Sequence, residues 1–366
     1  MYIWEKNEWP HFTWVDSGLS PLLAQAHRER GRLHGKLETM GFETQDETLL
    51  QTLTEDVVKS SEIEGENLNS DQVRSSIARR LGLDIGGLIP ADRHVEGVVE
   101  MMLDATQNYA APLTKERLFG WHAALFPTGR SGMRDIMVGH WRLEDSDPMQ
   151  VVSGSGRREQ IHYEAPPAAR IPAEMERFLL WFNDPGDMDP LLVAGLAHLW
   201  YITIHPFEDG NGRIARALAD MVLTRAEGSP QRSYSMSAQL RSELSDYYDM
   251  LETTQRNTLE ITSWQKWFLR CLNHALDDAH QRLAEALRKA RFWERFAREP
   301  LNKRQIIVLH RVMDNWEGKL TSSKWAKIAK CSQDTAGRDI NDLIGRGALS
   351  KDPGGGRSTS YSIVFE

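Results

Sequence analysis

A short segment combines the residue types needed to hold a nucleoside triphosphate and to attack it. It covers positions 205–216 and reads His-Pro-Phe-Glu-Asp-Gly-Asn-Gly-Arg-Ile-Ala-Arg. The imidazole of His205 could accept a proton, and the carboxylate of Asp209 could hold a divalent cation. Backbone N–H groups of the Gly-Asn-Gly turn, together with the two arginines, could hold phosphate oxygens. The segment therefore predicts phosphate chemistry at one place in the chain.

Two helices are expected to position this segment. The apolar stretch 190–204 predicts a buried helix, and Pro206 restricts His205 and ends that helix. After the glycine turn, apolar residues recur every three or four positions, which predicts a second helix that starts near Arg213. The turn then lies at a helix N-terminus, where unpaired N–H groups and the helix dipole favour anions. Arg213 and Arg216 are three residues apart, so they share one helix face.

The same segment resembles the signature of Fic-domain proteins, His-x-Phe-x-Asp/Glu-Gly-Asn-Gly-Arg-x-x-Arg, at every specified position. The resemblance implies a protein adenylyltransferase, which moves AMP from ATP to a Tyr, Ser or Thr hydroxyl of a target protein and releases pyrophosphate. It implies that His205 is the general base, Asp209 the Mg²⁺ ligand and Phe207 a buried anchor of the loop. The ATP phosphates would be held by Gly210, Asn211, Gly212, Arg213 and Arg216.

A second family resemblance lies upstream of the signature. Residues from Ser60 to Gly65 fit the pattern Ser/Thr-x-x-x-Glu-Gly/Asn, which Fic proteins carry on an inhibitory helix. The resemblance implies that Glu64 pairs with Arg216 and keeps it from the γ-phosphate, so that the resting enzyme is autoinhibited. In some relatives the same glutamate positions a water that removes AMP, and the balance of addition and removal stays open. Without the resemblance, a solvated acidic helix end would account for these residues.

Residues 151–163 contain two short β-prone runs around a glycine-containing turn, which predicts a hairpin. Fic proteins have a hairpin flap at this place that aligns the target side chain. The resemblance implies Ile161, His162 and Tyr163 as flap residues. An ordinary surface hairpin is the alternative.

Two further elements resemble family features. Tyr248 matches a tyrosine that lies against the nucleotide, although a buried core tyrosine would fit its position equally well. Gly139-His140-Trp141-Arg142 resembles a Gly-x-x-Arg element that precedes the flap. We interpret this element as structural.

Composition limits the class of protein. The chain has 366 residues, 40 % hydrophobic and 26 % charged, with a net charge of −8 that argues against a protein coating nucleic acid or membrane. No apolar run is long enough to predict a membrane span, and the first residues lack the plan of a signal peptide. The two cysteines, Cys271 and Cys331, fit neither a disulfide frame nor a zinc cluster. We therefore expect a cytoplasmic protein.

We expect a mainly α protein with four parts. Residues 1–93 form a helical module whose inhibitory helix lies around 57–66, and its aromatic-rich start resembles a small N-terminal module of some bacterial Fic proteins. Residues 94–275 form the helical Fic core with its short β-hairpin flap. A helical connector, 276–300, leads to a last domain at 301–366.

The last domain reads as a helix, a helix–turn–helix and two strands, which resembles a small α+β winged-helix domain. From Lys303 onward there are eleven Lys and Arg against seven Asp and Glu, which permits contact with DNA. However, Asp334, Asp339 and Asp342 lie on the expected recognition helix, where they would repel phosphates. Docking to protein, or dimerisation, is therefore an equal alternative.

Three classes of function compete. The first is an ATP- and Mg²⁺-dependent protein adenylyltransferase that acts on another protein or on itself, which we expect to be a homodimer. The second is a nucleotide-sensing transcriptional regulator that binds DNA through residues 301–366; promoter binding that survives His205→Ala would favour it. The third is a nucleotide-binding module without turnover. His205 and Asp209 argue against the third, because binding alone needs no base.

Overall fold

The computed structural model describes residues 1–143, 148–153, 160–297, 301–316, 318–353 and 359–365. The chain divides into two compact units, Met1–Ala279 and His280–Glu366. The structure is 64 % helical, which confirms the expectation of a mainly α protein with small β elements.

The first unit is built from helices and two small antiparallel hairpins. Its helices are α1 (Ser20–Glu38), α2 (Phe42–Ile63), α3 (Ser70–Leu81), α4 (Arg93–Gln107), α5 (Lys115–Leu125), α6 (Ile171–Asn183), α7 (Pro190–Ile204), α8 (Asn211–Glu227), α9 (Met236–Ser242), α10 (Leu244–Gln255) and the start of α11 (Thr262–Arg295). Its strands are β1 (Arg130–Ser131), β2 (Arg134–Asp135), β3 (Gln150–Ser153) and β4 (Gln160–Glu164), paired β1 with β2 and β3 with β4. Short 3₁₀ turns lie at Ile3–Glu5, Asp16–Gly18 and Ala168–Arg170.

Helix α7 is the centre of this unit. It is apolar on all sides and buried from Leu191 to Ile204, as a helix enclosed by other helices must be. Its start is capped by Asp189, whose carboxylate accepts a hydrogen bond from the N–H of Leu191 at 2.9 Å, with Pro190 in the first turn. Helix α8 packs along α7. The two helices fix the positions of the residues in the loop between them.

A buried charged network joins α2 to α8. Arg232 donates to Asp56 on α2 and to Asp220 on α8, and Ser235 donates to the other oxygen of Asp56. Burial, and then the nearby Asp220, raise the pKa of Asp56 to about 7. Removing one member of such a network leaves a buried charge without a partner, which commonly costs about 3–5 kcal/mol. The network therefore holds the C-terminal half of α2 against the helix that follows the glycine turn.

The second unit follows within α11, so the expected connector at 276–300 begins inside a continuous helix. It contains α12 (Lys303–Asn315), β5 (Leu320–Thr321), α13 (Ser322–Ala329), α14 (Gln333–Gly345), β6 (Leu349–Lys351) and β7 (Ser360–Ile363), with strand order β5-β7-β6. Trp325 is fully buried in its core. Ser332 caps α14 by accepting from the N–H of Thr335 at 3.2 Å.

Of the three acidic residues expected to repel phosphates from α14, Asp339 is turned inward. Its carboxylate is only 5 % exposed and accepts hydrogen bonds from Arg304 and Asn302 of the N-terminal end of α12. Asp342 is exposed but pairs with Arg346 and accepts from Gln305. The spacing of apolar residues predicted the helix, but it could not show which of its acidic side chains bind residues of α12.

A search of the described residues finds no helix that is both long enough and apolar enough to cross a membrane.

Candidate active site

The loop between α7 and α8 has an unusual backbone at its first residue. His205 ends α7 with φ 51° and ψ 61°, in the left-handed region that non-glycine residues seldom adopt. Pro206 ends the helix as expected, but the extended conformation typical of a residue before proline is not the one observed. Arg142 holds this backbone, because its Nε donates to the carbonyl of His205 at 2.9 Å and its own N–H donates to the carbonyl of Pro206 at 3.0 Å.

Phe207 and Asn211 close the loop. Phe207 is fully buried, and its ring stacks on that of His122 with centroids 4.1 Å apart. The carboxamide of Asn211 accepts from the N–H of Phe207 at 3.0 Å and donates to its carbonyl at 2.9 Å. Both polar atoms of Asn211 are thus used within the loop. The geometry therefore gives its side chain a part in holding the loop, and its backbone N–H and the second N–H of the carboxamide remain for phosphate.

The imidazole of His205 is suited to accept a proton at neutral pH. Its Nδ1 lies 3.2 Å from the carbonyl of Ile202, and since a carbonyl only accepts, Nδ1 must carry the hydrogen. Nε2 then has a free lone pair. Burial lowers the pKa of His205 to about 4, and the cationic Arg142 acts in the same direction. The ring is therefore neutral above about pH 5 and can act as a base.

Each of the two glycines in the turn is required for a different structural reason. Gly210 has φ 78°, and a Cβ there would lie 2.9 Å from Cε2 of Phe126, so only glycine fits. At Gly212 a Cβ would lie 2.1 Å from Oε1 of Glu64. The first-turn N–H groups of α8, which have no partner within the helix, point into the space beside this turn. The carboxylate of Glu64 therefore approaches the place where a phosphate would bind.

Asp209 lies half-buried at the start of the glycine turn. One carboxylate oxygen accepts from the N–H of Gly210 at 2.6 Å, and the other accepts from the hydroxyl of Ser131. Within the described ranges no group of three or more His, Cys, Asp or Glu side chains could enclose a metal ion. The single carboxylate of Asp209 could hold Mg²⁺ only together with oxygens of a bound polyphosphate, which is how Mg²⁺ is commonly bound in nucleotide sites.

Glu64 and Arg216 form an ion pair. Oε1 of Glu64 lies 2.6 Å from Nη2 of Arg216, whose side chain is 1 % exposed against 30 % for Glu64. Arg216 also donates to the hydroxyl and the carbonyl of Ser60, at 2.8 and 2.9 Å. Gly65 follows in the left-handed region with φ 79°, which turns the chain away after Glu64. Two residues of the pattern, Ser60 and Glu64, thus bind Arg216 together.

Arg213 is held by a residue that the sequence analysis missed. Its Nη1 lies 2.7 Å from Oε2 of Glu66, and its guanidinium stacks over the ring of Phe126 at 5.1 Å. The same oxygen of Glu66 is also bound by Nε2 of His94, at 3.0 Å. Hydrogen bonding to Glu66 raises the pKa of His94. The only signal in the sequence was a second acid two residues after Glu64, which the inhibitory pattern does not include.

A cavity of about 560 Å³ opens beside these groups. It is large enough for a nucleotide-sized ligand. His205, Arg216, Glu64 and Tyr248 line it together with residues of β3, β4 and α10. Tyr248 is 45 % exposed, and its hydroxyl donates to the carbonyl of Ile63 at 3.1 Å. Tyr248 is therefore a wall residue of this cavity rather than a core tyrosine.

The hairpin expected at 151–163 is present as β3 paired with β4, and its turn at 154–159 lies outside the described residues. Its three named residues are used differently. Ile161 is 42 % exposed, whereas Nδ1 of His162 lies 2.6 Å from Oε2 of Glu252. Tyr163 is buried, and its hydroxyl donates to the carbonyl of Thr203 on α7 at 2.5 Å. Tyr163 thus anchors the strand, and Ile161 and His162 are the more exposed of the three.

The structure brings together the elements that the sequence singled out separately. His205, Gly212, Arg216, Glu64, Tyr248 and the hairpin line one cavity, whereas Arg213 does not line it and pairs with Glu66. Arg142, interpreted as merely structural from the sequence, contacts the backbone of the base directly. Its four-residue element contained no signal for that contact, because it arises between segments 63 residues apart.

Comparisons with known proteins agree with this geometry. Residues 112–223 match the family model described as Fic/DOC family. Residues 2–83 match a second model, described only as a domain of unknown function, DUF4172.

Curated relatives cover part of the chain. A protein adenylyltransferase Fic of Drosophila ananassae is 29 % identical over 221 residues, which are 59 % of this chain and 39 % of the relative. A protein of the same name from Culex quinquefasciatus is 29 % identical over 222 residues, again 59 % and 39 %. The matched region thus spans about two fifths of the length of these relatives.

Solved structures share the fold. A Fic family protein from Desulfovibrio desulfuricans G20 superimposes with a TM-score of 0.51 at 19 % identity, over 94 % of this chain and 96 % of that one. A Fic domain containing signaling protein from Bacteroides thetaiotaomicron gives a TM-score of 0.51 at 24 % identity, over 70 % and 97 %. Because the family model matches residues 112–223, which include the whole signature at 205–216, the protein carries a Fic domain in this part of its chain.

Proposed function

We propose that this protein is an ATP-dependent adenylyltransferase that transfers AMP to a Tyr, Ser or Thr hydroxyl of a protein. One observation carries the proposal: the half-buried His205, whose Nε2 is free, ends α7 beside the N-terminus of α8, and that helix bears two arginines. That arrangement combines a base with an anion site. The curated relatives, named protein adenylyltransferase, support the same activity.

The residues suggest the following step. The hydroxyl oxygen of the target attacks the α-phosphorus of ATP while Nε2 of His205 takes the hydroxyl proton. An oxygen–phosphorus bond forms, the anhydride bond between the α- and β-phosphates breaks, and pyrophosphate leaves with that electron pair. The N–H groups at the start of α8 would stabilise charge on the α-phosphate. Arg213 and Arg216 would hold the β- and γ-phosphates.

Asp209 is the residue that would hold Mg²⁺ together with the phosphates. Such an ion, when bound, would offset negative charge on the phosphates and on the leaving pyrophosphate. Ser131 donates to Asp209 and would keep its carboxylate turned toward the glycine turn.

The same proposal includes autoinhibition. In the structure both phosphate-binding arginines are paired with acids, Arg216 with Glu64 and Arg213 with Glu66. A triphosphate must displace these carboxylates before it can use the arginines. The resting protein would therefore bind ATP weakly or in an unproductive position.

We expect Glu66→Gln to increase the affinity for ATP roughly 3-fold and to add to the effect of Glu64→Gly. The change removes the charge that holds Arg213 but keeps the size of the side chain, and the modest factor reflects the partial exposure of Glu66. Calorimetry with ATP and Mg²⁺ on the single and double variants would measure it. Glu62→Gln is the matched control, because Glu62 pairs with Lys59 and does not reach the signature. Equal ATP affinity in Glu66→Gln and the wild type would contradict this part of the proposal.

Mass spectrometry tests the activity itself. The Glu64→Gly variant is incubated with ATP, Mg²⁺ and a cell lysate, and protein masses are compared with a reaction that lacks ATP. An added AMP on a hydroxyl side chain, located by fragmentation, is the expected product. A different added nucleotide fragment, or none on any protein including the variant itself, would overturn the assignment.

We infer a winged helix for residues 301–366, since the order of helices and the three-stranded sheet of the second unit support it. Contact of this unit with DNA or with protein stays a prediction. The homodimer and the cytoplasmic location stay predictions as well.

A further inference from the structure

Arg142 occupies an unusual position for an arginine. It is 5 % exposed, and among the described residues no carboxylate lies within ion-pair distance of its guanidinium. Burial lowers the pKa of Arg142 to about 10. A buried cation without an anion is costly, so the contacts that retain it must satisfy its N–H donors.

Those contacts join two parts of the active site. Nε of Arg142 donates to the carbonyl of His205 at 2.9 Å, and Nη2 donates to the carbonyl of Pro166, just after β4. One guanidinium therefore connects the backbone of the base with the end of the flap strand. Its planar fork can satisfy two carbonyls in fixed directions, which a lysine cannot do.

A second contact reinforces the connection. The hydroxyl of Tyr163, on β4, donates to the carbonyl of Thr203 in the last turn of α7, two residues before His205. The flap strand is thus attached to the end of α7 at two points, at Thr203 through Tyr163 and at His205 through Arg142. Any target hydroxyl aligned by the flap would then lie at a fixed distance from Nε2 of His205.

We propose that Arg142 is a positioning residue that links the flap to the backbone of His205. This link fixes how the target hydroxyl is aligned with Nε2 of His205. The inference rests on the proposed adenylyl transfer. Arg142 does not contact the phosphate-binding groups, so its loss should slow transfer without weakening ATP binding. A misalignment of the reacting atoms by about 1 Å can cost on the order of 100-fold in rate.

Arg142 also acts on the charge of the imidazole. The charged groups that influence His205 are Arg142, which disfavours protonation, and Glu64 and Asp209, which favour it. If the cation is removed, the pKa of His205 rises, so the acidic limb of the pH profile moves to higher pH. If Arg142 only stabilised the fold, its removal would leave the acidic limb of the pH profile at the same pH.

The test uses Glu64→Gly as the relieved background. Arg142→Met is expected to lower kcat roughly 10- to 100-fold, to leave the Kd for ATP within about 2-fold, and to raise the pKa of His205 followed by ¹³C NMR of labelled histidines. Arg142→Lys keeps the cation but can reach only one carbonyl, so kcat should fall while the pKa stays low. Arg177→Met, which removes a half-exposed arginine that pairs with Glu174 on α6, is the control.

The outcomes separate the two proposals. If Glu64→Gly itself transfers no AMP, the proposed function fails, whereas the histidine titration still tests Arg142. If Glu64→Gly transfers AMP and Arg142→Lys does so with the same kcat, the positioning role is wrong. That comparison remains decisive if Arg142→Met fails to fold by circular dichroism, and an unchanged His205 titration in a folded Arg142→Met would also overturn the inference.

Discussion

Glu64→Gly is expected to increase AMP transfer about 10- to 100-fold over the wild type. The carboxylate lies 2.6 Å from Nη2 of Arg216 and fills the space beside Gly212 where a phosphate would approach the N-terminus of α8. Losing one partner of a fully buried pair costs about 3–5 kcal/mol. Because Glu64 is 30 % exposed, solvent screening reduces this to about 1.5–3 kcal/mol, and each 1.36 kcal/mol is a factor of ten.

Glu64→Gly should also change the melting temperature of the protein. Without Glu64 the buried guanidinium of Arg216 has lost its anion, so we expect a lower melting temperature in the absence of nucleotide. ATP with Mg²⁺ should then raise the melting temperature more in the variant than in the wild type, because the triphosphate replaces the missing negative charge. Differential scanning fluorimetry measures both effects.

Two controls separate charge from backbone flexibility. Glu62→Gly places a glycine in the last turn of α2, two residues before Glu64, without touching the ion pair, and it should leave transfer at the wild-type level. Glu64→Gln removes the charge but keeps a side chain of the same size at the C-cap of α2, and it should also increase transfer. Equal labelling by wild type, Glu64→Gly and Glu64→Gln would show that Glu64 does not inhibit.

His205→Ala in the Glu64→Gly background is expected to lower transfer at least ~100-fold, the usual range for removing a general base. Nε2 of His205 is the free imidazole nitrogen at the cavity, since Nδ1 is held by the carbonyl of Ile202. The glycine turn and both arginines are untouched, so ATP should bind within about 3-fold of the parent variant. Labelling with α-³²P ATP measures transfer, and calorimetry measures binding.

His34→Ala is the control for this substitution, because His34 is a half-exposed histidine that pairs with Glu38 on α1. It should leave both quantities unchanged. A His205→Ala variant that binds ATP and still transfers AMP at the parent rate would exclude His205 as the base. Loss of binding together with transfer would instead point to a collapsed loop.

Local patterns were sufficient to predict the elements that hold the site. The all-round apolar stretch predicted α7 at 190–204, and the period after the glycine turn predicted α8, which begins two residues earlier than expected at Asn211. These features depend on neighbours in the chain, because helix periodicity, proline and glycine act over a few residues.

Contacts between distant segments could not be read in this way. The pairing of Glu66 with Arg213 joins residues 147 apart, and no short pattern marks it. The carboxamide of Asn211, expected to face phosphate, is used by the backbone of Phe207. Tyr163, expected as a flap residue, lies on the flap strand but is buried, and its hydroxyl donates to the carbonyl of Thr203.

The sequence by itself determined that a base, a carboxylate and two arginines meet at the start of one helix, since spacing along a helix follows from chain geometry alone. Only the tertiary structure decided what those groups contact: which acid neutralises which arginine, and that Arg142 supports the backbone of His205. The reason is physical. The preference of a buried charge for a partner is general, but the identity of the partner depends on which side chains the packing of α2, α4 and the flap brings within about 3 Å.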